Sequence, residues 1–451
     1  ITHLTTINDN SHKLLISMIN VMTNGTTSIQ VADTSTMNYM DLSSDVIIDG
    51  AVTQGGLTTA AYTTDTQGGY ITLSVDRGWT LSRAVLATTP TSRAYGMSGN
   101  ETITDGAPLG NLGGNSLSVN MYGHTVDGNG HSGISLSSGQ TLSITGGGTW
   151  KNFFKDINDY GGSVIYVGSD ALIDNLEMSF ENNKLIYDYY GSSGGYGGAV
   201  FNKGGVINNI HGNFVGNSIG SMFGSGAAIA LSYGTIGSIT GSFVNNITGN
   251  VDGVDGNAFG GAISALGWIT NSAIGAIITQ DYELDGVGTV NGFYGNSATS
   301  EANSAYGGAI YNFESTIGDI TGDISNNAAI SENSNAYGGA IYNFEGTIGN
   351  ITGNISNNKA AYLSPNGESN PDSMYGGAIY NYANDSNKIS QIGNIVGDFK
   401  YNSVYTIGQP YSSGAYGGAI FNWSYSSTSK AIIGDITGDF IGNSTINNVR
   451  T

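Results

Sequence analysis

Acidic side chains are the first residues of this chain to consider for chemistry, because clustered carboxylates hold cations or serve as acids and bases in catalysis. The densest group is the segment DYELDG, which carries Asp281, Glu283 and Asp285. Alternate residues of a strand share one face, so a strand here would place all three carboxylates together, where they could bind a cation or a sugar. A solvated loop that carries the same three acids is the alternative interpretation.

Other groups with catalytic spacing are scarce. The chain has 13 lysines and arginines and 34 acids, and it shows no Ser-His-Asp order, zinc-ligand spacing or phosphate loop. The segment DGVDGN at 252–257 offers acids for Ca²⁺ but lacks the remaining ligands of a calcium loop. The sequence therefore predicts a protein that is not an enzyme and has no cofactor, and Ca²⁺ is the one cation for which it supplies candidate ligands.

Asparagine recurs at two fixed positions, where identical side chains could form ladders of hydrogen bonds. The first set ends the motif GGA[IV]xN or its variants: Asn202, Asn312, Asn343, Asn381 and Asn422. The second set ends the motif FxxN or IxxN: Asn183, Asn217, Asn246, Asn296, Asn327, Asn358, Asn402 and Asn443. We expect both sets to be structural.

Tyrosine recurs beside the first motif. One set directly precedes the glycine pair: Tyr306, Tyr337, Tyr375 and Tyr416. If these rings face outward, they form an aromatic stripe able to bind glycans or proteins. The alternative is that the rings only stack on one another and stabilise the fold.

A repeat must position these residues. Residues 305–327 and 336–358 differ only at Ser315/Gly346, Asp319/Asn350 and Asp323/Asn354. Eight copies of the paired motifs lie between residues 160 and 443, with inserts of variable length between them. A constant core with variable inserts is typical of a solenoid, in which each repeat contacts only its neighbours.

Each copy contains three short β-prone pieces separated by glycine-rich turns, as in GAIYN, TIGDI and DISNN. The sequence predicts an all-β protein, a right-handed parallel β-helix with three strands per coil, in which identical residues stack about 4.8 Å apart. Ile317 and Ile320 are three residues apart, so both can point inward only if the chain bends at Gly318-Asp319.

Composition and domain organisation narrow the class of protein. We predict a β-rich N-terminal cap or accessory region at 1–98, irregular first coils at 99–159 and the repeat helix at 160–451. The net charge of −21 disfavours binding to nucleic acid. No segment approaches 18 consecutive apolar residues, so no transmembrane helix is expected. A chain with only 13 lysines and arginines, 71 glycines and 27 tyrosines suggests an exported protein. It has no cysteine, so regular structure alone must hold it together.

The alternation of GGA[IV] with FxxN across residues 160–443 resembles the repeats of chlamydial-type polymorphic outer-membrane proteins. More widely, it is similar to the passenger domains of Gram-negative autotransporter adhesins. The resemblance implies a secreted β-helix displayed on the outside of a Gram-negative outer membrane. Its implied partners are a protein or glycan on a host or bacterial surface, or copies of itself.

Two other functions remain open from the sequence. The last FxxN motif ends at Asn443, eight residues before the final residue, and an uncovered coil would expose strand backbone to another chain. Head-to-tail stacking would then give a self-assembling extracellular filament. The second alternative is a polysaccharide-cleaving β-helix enzyme, which would need acids and bases from several coils along one groove.

Overall fold

A computed structural model gives the fold for most of the repeat region and for parts of the N-terminal region. The residues it describes are 27–31, 37–42, 52–54, 57–58, 61–65, 68–74, 79–81, 92–97, 100–104, 116–156, 164–187, 194–249, 251, 256–267, 272–363, 373–407 and 414–448. The described residues form strands and turns and contain no helix.

The repeat region is a parallel β-helix, as the sequence predicts. Each full coil passes through five sheets, which we call core sheets 1, 2 and 3 and lobe sheets 4 and 5, in chain order. Core sheets 1 to 3 enclose the main hydrophobic core, and lobe sheets 4 and 5 enclose a smaller one. The three predicted strands per coil correspond to the core sheets, and the lobe is an addition that the sequence analysis did not predict.

The core sheets run the length of the described coils. Core sheet 1 contains the strands Ile134–Leu136, Ile165–Val167, Val200–Lys203, Ile229–Ser232, Ile263–Leu266, Ile310–Phe313, Ile341–Phe344, Ile379–Ala383 and Ile420–Ser424. Core sheet 2 contains Ser92–Gly96, Ser116–Asn120, Thr141–Thr145, Leu172–Glu177, Val206–His211, Thr235–Thr240, Ala273–Ile278, Thr316–Ile317, Ile320–Thr321, Thr347–Ile348, Ile351–Thr352, Ile389–Ile392, Ile395–Val396, Lys430–Ile433 and Ile436–Thr437. Core sheet 3 contains Glu101–Thr102, Thr125–Asp127, Thr149–Lys151, Ser179–Glu181, Phe214–Val215, Phe243–Val244, Gly288–Tyr294, Asp323–Ser325, Ile355–Ser356, Phe399–Lys400 and Phe440–Ile441, and Asp281–Leu284 joins it as an antiparallel strand.

The lobe sheets leave the core after core sheet 3 and return to core sheet 1. Lobe sheet 4 contains Phe154–Asp156, Lys184–Tyr187, Ser218–Ser221, Ile247–Gly249, Ser297–Ser300, Ala328–Ser331, Lys359–Leu363, Ser403–Ile407 and Ser444–Asn448. Lobe sheet 5 contains Phe223–Ser225, Asn257–Phe259, Ala305–Tyr306, Ala336–Tyr337, Ser373–Tyr375 and Gly414–Tyr416. The lobe core is lined mainly by alanine, as at Ala305 and Ala329, and holds the larger side chains of Tyr362, Met374 and Val404 in later coils.

The described N-terminal strands pair differently from those of the β-helix. One antiparallel sheet has the order Thr27–Val31, Met37–Leu42, Gly68–Ser74 and Ala61–Asp65. A second has the order Leu57–Thr58, Val52–Gln54 and Trp79–Leu81. The first strand in parallel register with the coils is Ser92–Gly96, which pairs with Ser116–Asn120. The remainder of the predicted accessory region at 1–98 lies outside the described residues.

The main core is built from columns of identical apolar side chains. Ile310, Ile317 and Ile320 are fully buried, and the same positions carry isoleucine in the next two coils. Strands Thr316–Ile317 and Ile320–Thr321 are separated by Gly318 and Asp319. The predicted bend is present at these two residues, and it turns both isoleucines inward.

The glycine pair of each repeat makes the corner between lobe sheet 5 and core sheet 1. Gly307 has a φ of +61°, and a Cβ there would lie 2.0 Å from the carbonyl oxygen of Ile310. A Cβ on Gly308 would lie 2.1 Å from the carbonyl oxygen of Gly339 in the next coil. Glycine is required at both positions, because Gly307 has a left-handed backbone conformation and Gly308 lies too close to the next coil for a side chain.

The FxxN asparagines form one continuous ladder through eight coils. Each side chain donates from Nδ2 to the Oδ1 of the next member at 2.9 to 3.0 Å, from Asn183 to Asn443. Each Oδ1 also accepts the backbone N–H of the preceding member, as in Asn296 to Asn327 at 3.0 Å. The inner members are fully buried, so these bonds satisfy amides that would otherwise be costly to bury.

The second predicted ladder is shorter. Asn312, Asn343, Asn381 and Asn422 are joined by Nδ2 to Oδ1 bonds of 2.7 to 2.8 Å. Asn202 lies in the same column but is not part of the ladder, because Leu231 and Ala265 occupy the intervening coils. Its Nδ2 donates instead to the carbonyl oxygens of Gly205 and Thr235. The Oδ1 of Asn312 consequently has no hydrogen-bond donor.

Two of the three differences between the near-identical repeats also lie along the axis. Asp319 accepts the backbone N–H of Asn350 at 2.7 Å, and Asp323 accepts that of Asn354 at 2.7 Å. Asparagine in place of aspartate in the second repeat avoids two like charges in contact, which would repel each other. The side chains in both columns therefore tie each coil to the backbone of the next.

Replacing one ladder asparagine should destabilise the solenoid. We expect Asn327→Ala to cost roughly 2–4 kcal/mol, because it leaves buried donors and acceptors of two neighbouring coils without partners. The adjacent Asn326 is exposed at a φ of 57°, so Asn326→Gly is the matched control and should change stability by only a few tenths of a kcal/mol. Guanidinium unfolding followed by circular dichroism compares them, and equal midpoints for the two variants would contradict a supporting role for the ladder.

The phenylalanine column should tolerate isoleucine better than alanine. Phe243 is fully buried between Phe214 and Phe293, with ring centroids 5.1 and 4.7 Å away. Phe243→Ala should cost about 3–5 kcal/mol because it opens a cavity. Phe243→Ile should cost less than half as much, since Ile324 and Ile355 occupy this column naturally. The same unfolding measurement tests this ranking, and a similar loss for both variants would disprove it.

Candidate functional site

The predicted tyrosine stripe lies on the outer side of the corner between lobe sheet 5 and core sheet 1. In the strand Ala305–Tyr306, Ala305 enters the lobe core and Tyr306 points to the opposite side. In the strand Ile310–Phe313, Ile310 enters the main core and Tyr311 and Phe313 point outward. The alternation of side chains along both strands therefore brings three aromatic residues per coil to one surface.

Stacking of the coils extends these residues into three columns, which together we call the aromatic face. The outer column contains Phe259, Tyr306, Tyr337, Tyr375 and Tyr416. The middle column contains Tyr311, Tyr342, Tyr380 and Phe421. The far column contains Leu266, Phe313, Phe344, Tyr382 and Trp423.

Rings in the outer column stack along the axis and are partly exposed. Their centroids are 5.0 Å apart from Phe259 to Tyr306 and from Tyr306 to Tyr337, then 5.8 Å to Tyr375 and 5.2 Å to Tyr416. Tyr306, Tyr337 and Tyr375, which lie in coils with a neighbour on both sides, are half-buried. The two interpretations of this stripe are therefore compatible, because the rings support one another and also reach the surface.

The middle column is buried beneath its neighbours. Tyr311, Tyr342 and Tyr380 are 7%, 6% and 2% exposed. Tyr342 lies 5.9 Å from Tyr337 on one side and 6.1 Å from Phe344 on the other, measured between ring centroids. The buried column fixes the spacing of the two partly exposed columns, and each aromatic contact adds about 0.5–1.5 kcal/mol beyond area burial.

Burial also changes the acidity of the tyrosines. Desolvation raises the pKa of Tyr311 and Tyr342 well above the ordinary value, and neighbouring tyrosines add to the effect. Desolvation likewise raises the pKa of Tyr380, helped by Tyr382. The raised pKa values favour the protonated form of these phenols in the folded coil.

An ion cluster borders the far column, and the sequence analysis did not identify it. Lys388 Nζ lies 2.7 Å from Glu314 Oε1 and 3.9 Å from Glu345 Oε2. Glu345 is buried, and its Oε1 accepts the backbone N–H groups of Asn384 and Asp385 at 2.9 and 2.6 Å. The cluster holds the turn at 384–388 against the preceding coils. This turn is an insert between the strands Ile379–Ala383 and Ile389–Ile392.

The predicted acidic group lies elsewhere, on a hairpin next to core sheet 3. The strand Asp281–Leu284 pairs antiparallel with residues 288–291, and Asp281 and Glu283 are exposed on one side of it. Asp281 accepts a hydrogen bond from Asn291 Nδ2 at 2.8 Å, and Glu283 contacts the hydroxyl of Thr289. The prediction that all three acids share a strand face is wrong for Asp285, because the strand ends before this residue.

Three or more metal-ligating side chains do not come together anywhere in the described part of the chain. The segment at 252–257, the other candidate for Ca²⁺, lies largely outside that part. The described residues also contain no helix with the length and hydrophobicity needed to cross a bilayer.

No known family, curated protein or solved structure matches this chain.

The buried tyrosines should make stability depend on alkaline pH. Because their folded pKa values are raised, their contribution is complete below the unfolded pKa of about 10 and is lost as pH rises above it. We expect the melting temperature to fall between pH 9 and pH 11. The triple variant Tyr311→Phe, Tyr342→Phe and Tyr380→Phe should lose less stability over this interval. A melting temperature equally sensitive to pH in both proteins would show that other groups cause the effect.

Proposed function

We propose that this chain is an exported, surface-displayed β-helix that acts in adhesion without catalysis, and that the aromatic face is its binding surface. The observation that carries the proposal is the aromatic face itself, which holds partly exposed rings in register over several coils. Aromatic side chains contribute more to binding than most other surface residues, because they bury a large area at a small cost in conformational entropy.

The supporting scaffold also fits this role. The FxxN ladder and the stacked core hold the aromatic columns at fixed spacing, so the binding surface is ordered before a partner arrives. Preorganisation lowers the entropy lost on binding. A protein or glycan on another cell surface, or another copy of this chain, is the class of partner that we propose.

The positions and partners of the acidic side chains favour adhesion over a polysaccharide-cleaving activity. The acids beside the face, Glu314 and Glu345, are bound to Lys388 and to backbone N–H groups, which leaves them committed to structure. The exposed acids Asp281 and Glu283 lie on the hairpin near core sheet 3 rather than beside the aromatic columns. Release of reducing ends from a panel of polysaccharides by the purified chain would overturn the non-catalytic part of the proposal.

Removing the outer rings should weaken adhesion. We expect the triple variant Tyr306→Thr, Tyr337→Thr and Tyr375→Thr to bind cells at least about tenfold more weakly, because truncation of aromatic anchors commonly costs 1–2 kcal/mol or more. Threonine suits strands, so the backbone should be retained. Binding of fluorescently labelled protein to bacterial and epithelial cells measures the effect, with circular dichroism to verify folding.

Tyr401 supplies the matched control. It is 60% exposed at the corner after core sheet 3, where its φ of 55° resembles that of Asn326 and Asn357. Tyr401→Asn therefore removes an exposed tyrosine away from the aromatic face and introduces the residue natural to that corner. Unchanged cell binding by a folded triple variant, or an equal loss in Tyr401→Asn, would refute the assignment of the binding surface.

A further inference from the structure

We propose that the aromatic face binds a neutral polysaccharide chain, extended along the axis of the solenoid. This inference rests on the proposed adhesive function and adds to it the chemical class of the ligand. It follows from the dimensions of the face, from the pattern of polar and apolar groups on it, and from its electrostatic surroundings.

The dimensions of the face favour a linear ligand. The outer column crosses five coils, which corresponds to on the order of 20 Å along the axis. Across the axis, ring centroids are 6.0 Å apart from Tyr306 to Tyr311 and 6.2 Å apart from Tyr311 to Phe313. The area of this long, narrow strip is well below the roughly 800 Å² per partner that a stable protein interface buries. An extended single chain fits such a strip better than a folded domain does.

The pattern of groups favours sugar units. Each coil presents ring edges from the outer and far columns, because the outer rings stack face to face along the axis, and tyrosine adds a hydroxyl at the wet end of the ring. A pyranose has the same division, with C–H groups on its faces and hydroxyls around its rim. The outer rings have centroids 5.0 to 5.8 Å apart and repeat about every 4.8 Å along the axis, which is close to the length of one sugar unit in an extended glycan. One sugar unit can therefore meet one coil, and the match continues along the strip.

The charge of the surroundings favours a neutral chain over an anionic one. Lys388, the cation at the border of the far column, is already bound to Glu314 and Glu345. The cluster has one more carboxylate than it has cations, and the whole chain carries a net charge of −21. A polyanion such as a sulfated glycan would meet unfavourable electrostatic potential at this surface.

Binding of defined glycans tests the inference. The full chain is run through native gels containing starch, β-1,3-glucan, hydroxyethyl cellulose, galactomannan or glycol chitin, with heparin as the polyanion. We expect at least one neutral polysaccharide to retard the chain, and heparin to have no effect. A hexasaccharide of the neutral polysaccharide that binds should bind at least tenfold more tightly than the disaccharide, because a longer chain spans more coils.

Residue substitutions assign the binding to the aromatic face. Trp423 belongs to the far column and stacks on Tyr382 with ring centroids 5.1 Å apart, so the hexasaccharide should change the tryptophan fluorescence of the wild type but not that of Trp423→Phe. The variant with Tyr306, Tyr337 and Tyr375 replaced by threonine should bind at least tenfold more weakly, and Tyr401→Asn should bind normally. Replacing the same three tyrosines by phenylalanine keeps the stacks and should weaken binding two- to fivefold through loss of the hydroxyls.

The outcomes separate this inference from the proposed function. If no neutral polysaccharide binds, or if heparin binds best, the ligand class is wrong. If the threonine variant nevertheless loses binding to cells, the adhesive function still stands. The partner would then be a protein. Glycan binding that is unaffected by the threonine variant would also overturn the inference, because it would place the glycan on another surface.

Discussion

In-register stacking of successive coils is the constraint on which this structure depends. Parallel strands of neighbouring coils lie about 4.8 Å apart, so a side chain meets the same position of the next coil at that distance. A residue type that interacts well with a copy of itself is favourable at such a position. Asparagine does so through amide hydrogen bonds, and aromatic rings do so through offset stacking. The near-identity of the two repeats that begin at Ala305 and Ala336 is a direct result of this geometry.

The same constraint produces both the interior and the proposed binding surface. Along the strand Ile310–Phe313, inward residues build the core and an asparagine ladder, and outward residues build two columns of the aromatic face. Because the ladder fixes the register, it also fixes the distance between successive rings on the outside. Stability and the proposed recognition therefore depend on the same strand.

Features that depend on spacing within one coil could be predicted from the sequence. The bend at Gly318-Asp319 follows from the three-residue offset between Ile317 and Ile320. The FxxN ladder and the axial contact of Asp319 with Asn350 follow because motifs of constant internal spacing recur in consecutive coils. The lobe was missed because its sheet 5 strands are as short as two residues and follow inserts of variable length. Ala305 and Ala329 give little hydrophobic signal by themselves, although they face each other in a core.

The parts of the candidate site that depend on a single insert could not be predicted in this way. Lys388 reaches Glu314 across two coils, and only the fold of the turn at 384–388 brings them together.

Asn202 carries the right residue type at the right offset, yet it lacks asparagine neighbours in the next two coils. A ladder is a property of consecutive coils, so a motif in one coil is insufficient evidence for it.

The direction of the asparagine ladder has a consequence for how such a molecule is organised. Every bond between two asparagine side chains in the FxxN column runs from Nδ2 of one coil to Oδ1 of the next coil toward the C-terminus. The same Nδ2 groups also donate to backbone carbonyl oxygens of the preceding coil, as from Asn217 to Phe180. The amide dipoles are therefore all parallel, and aligned hydrogen bonds in a chain polarise and strengthen one another. The repeated orientation of these amides gives the asparagine column one electrical direction, so the interior of the solenoid is polar along its length.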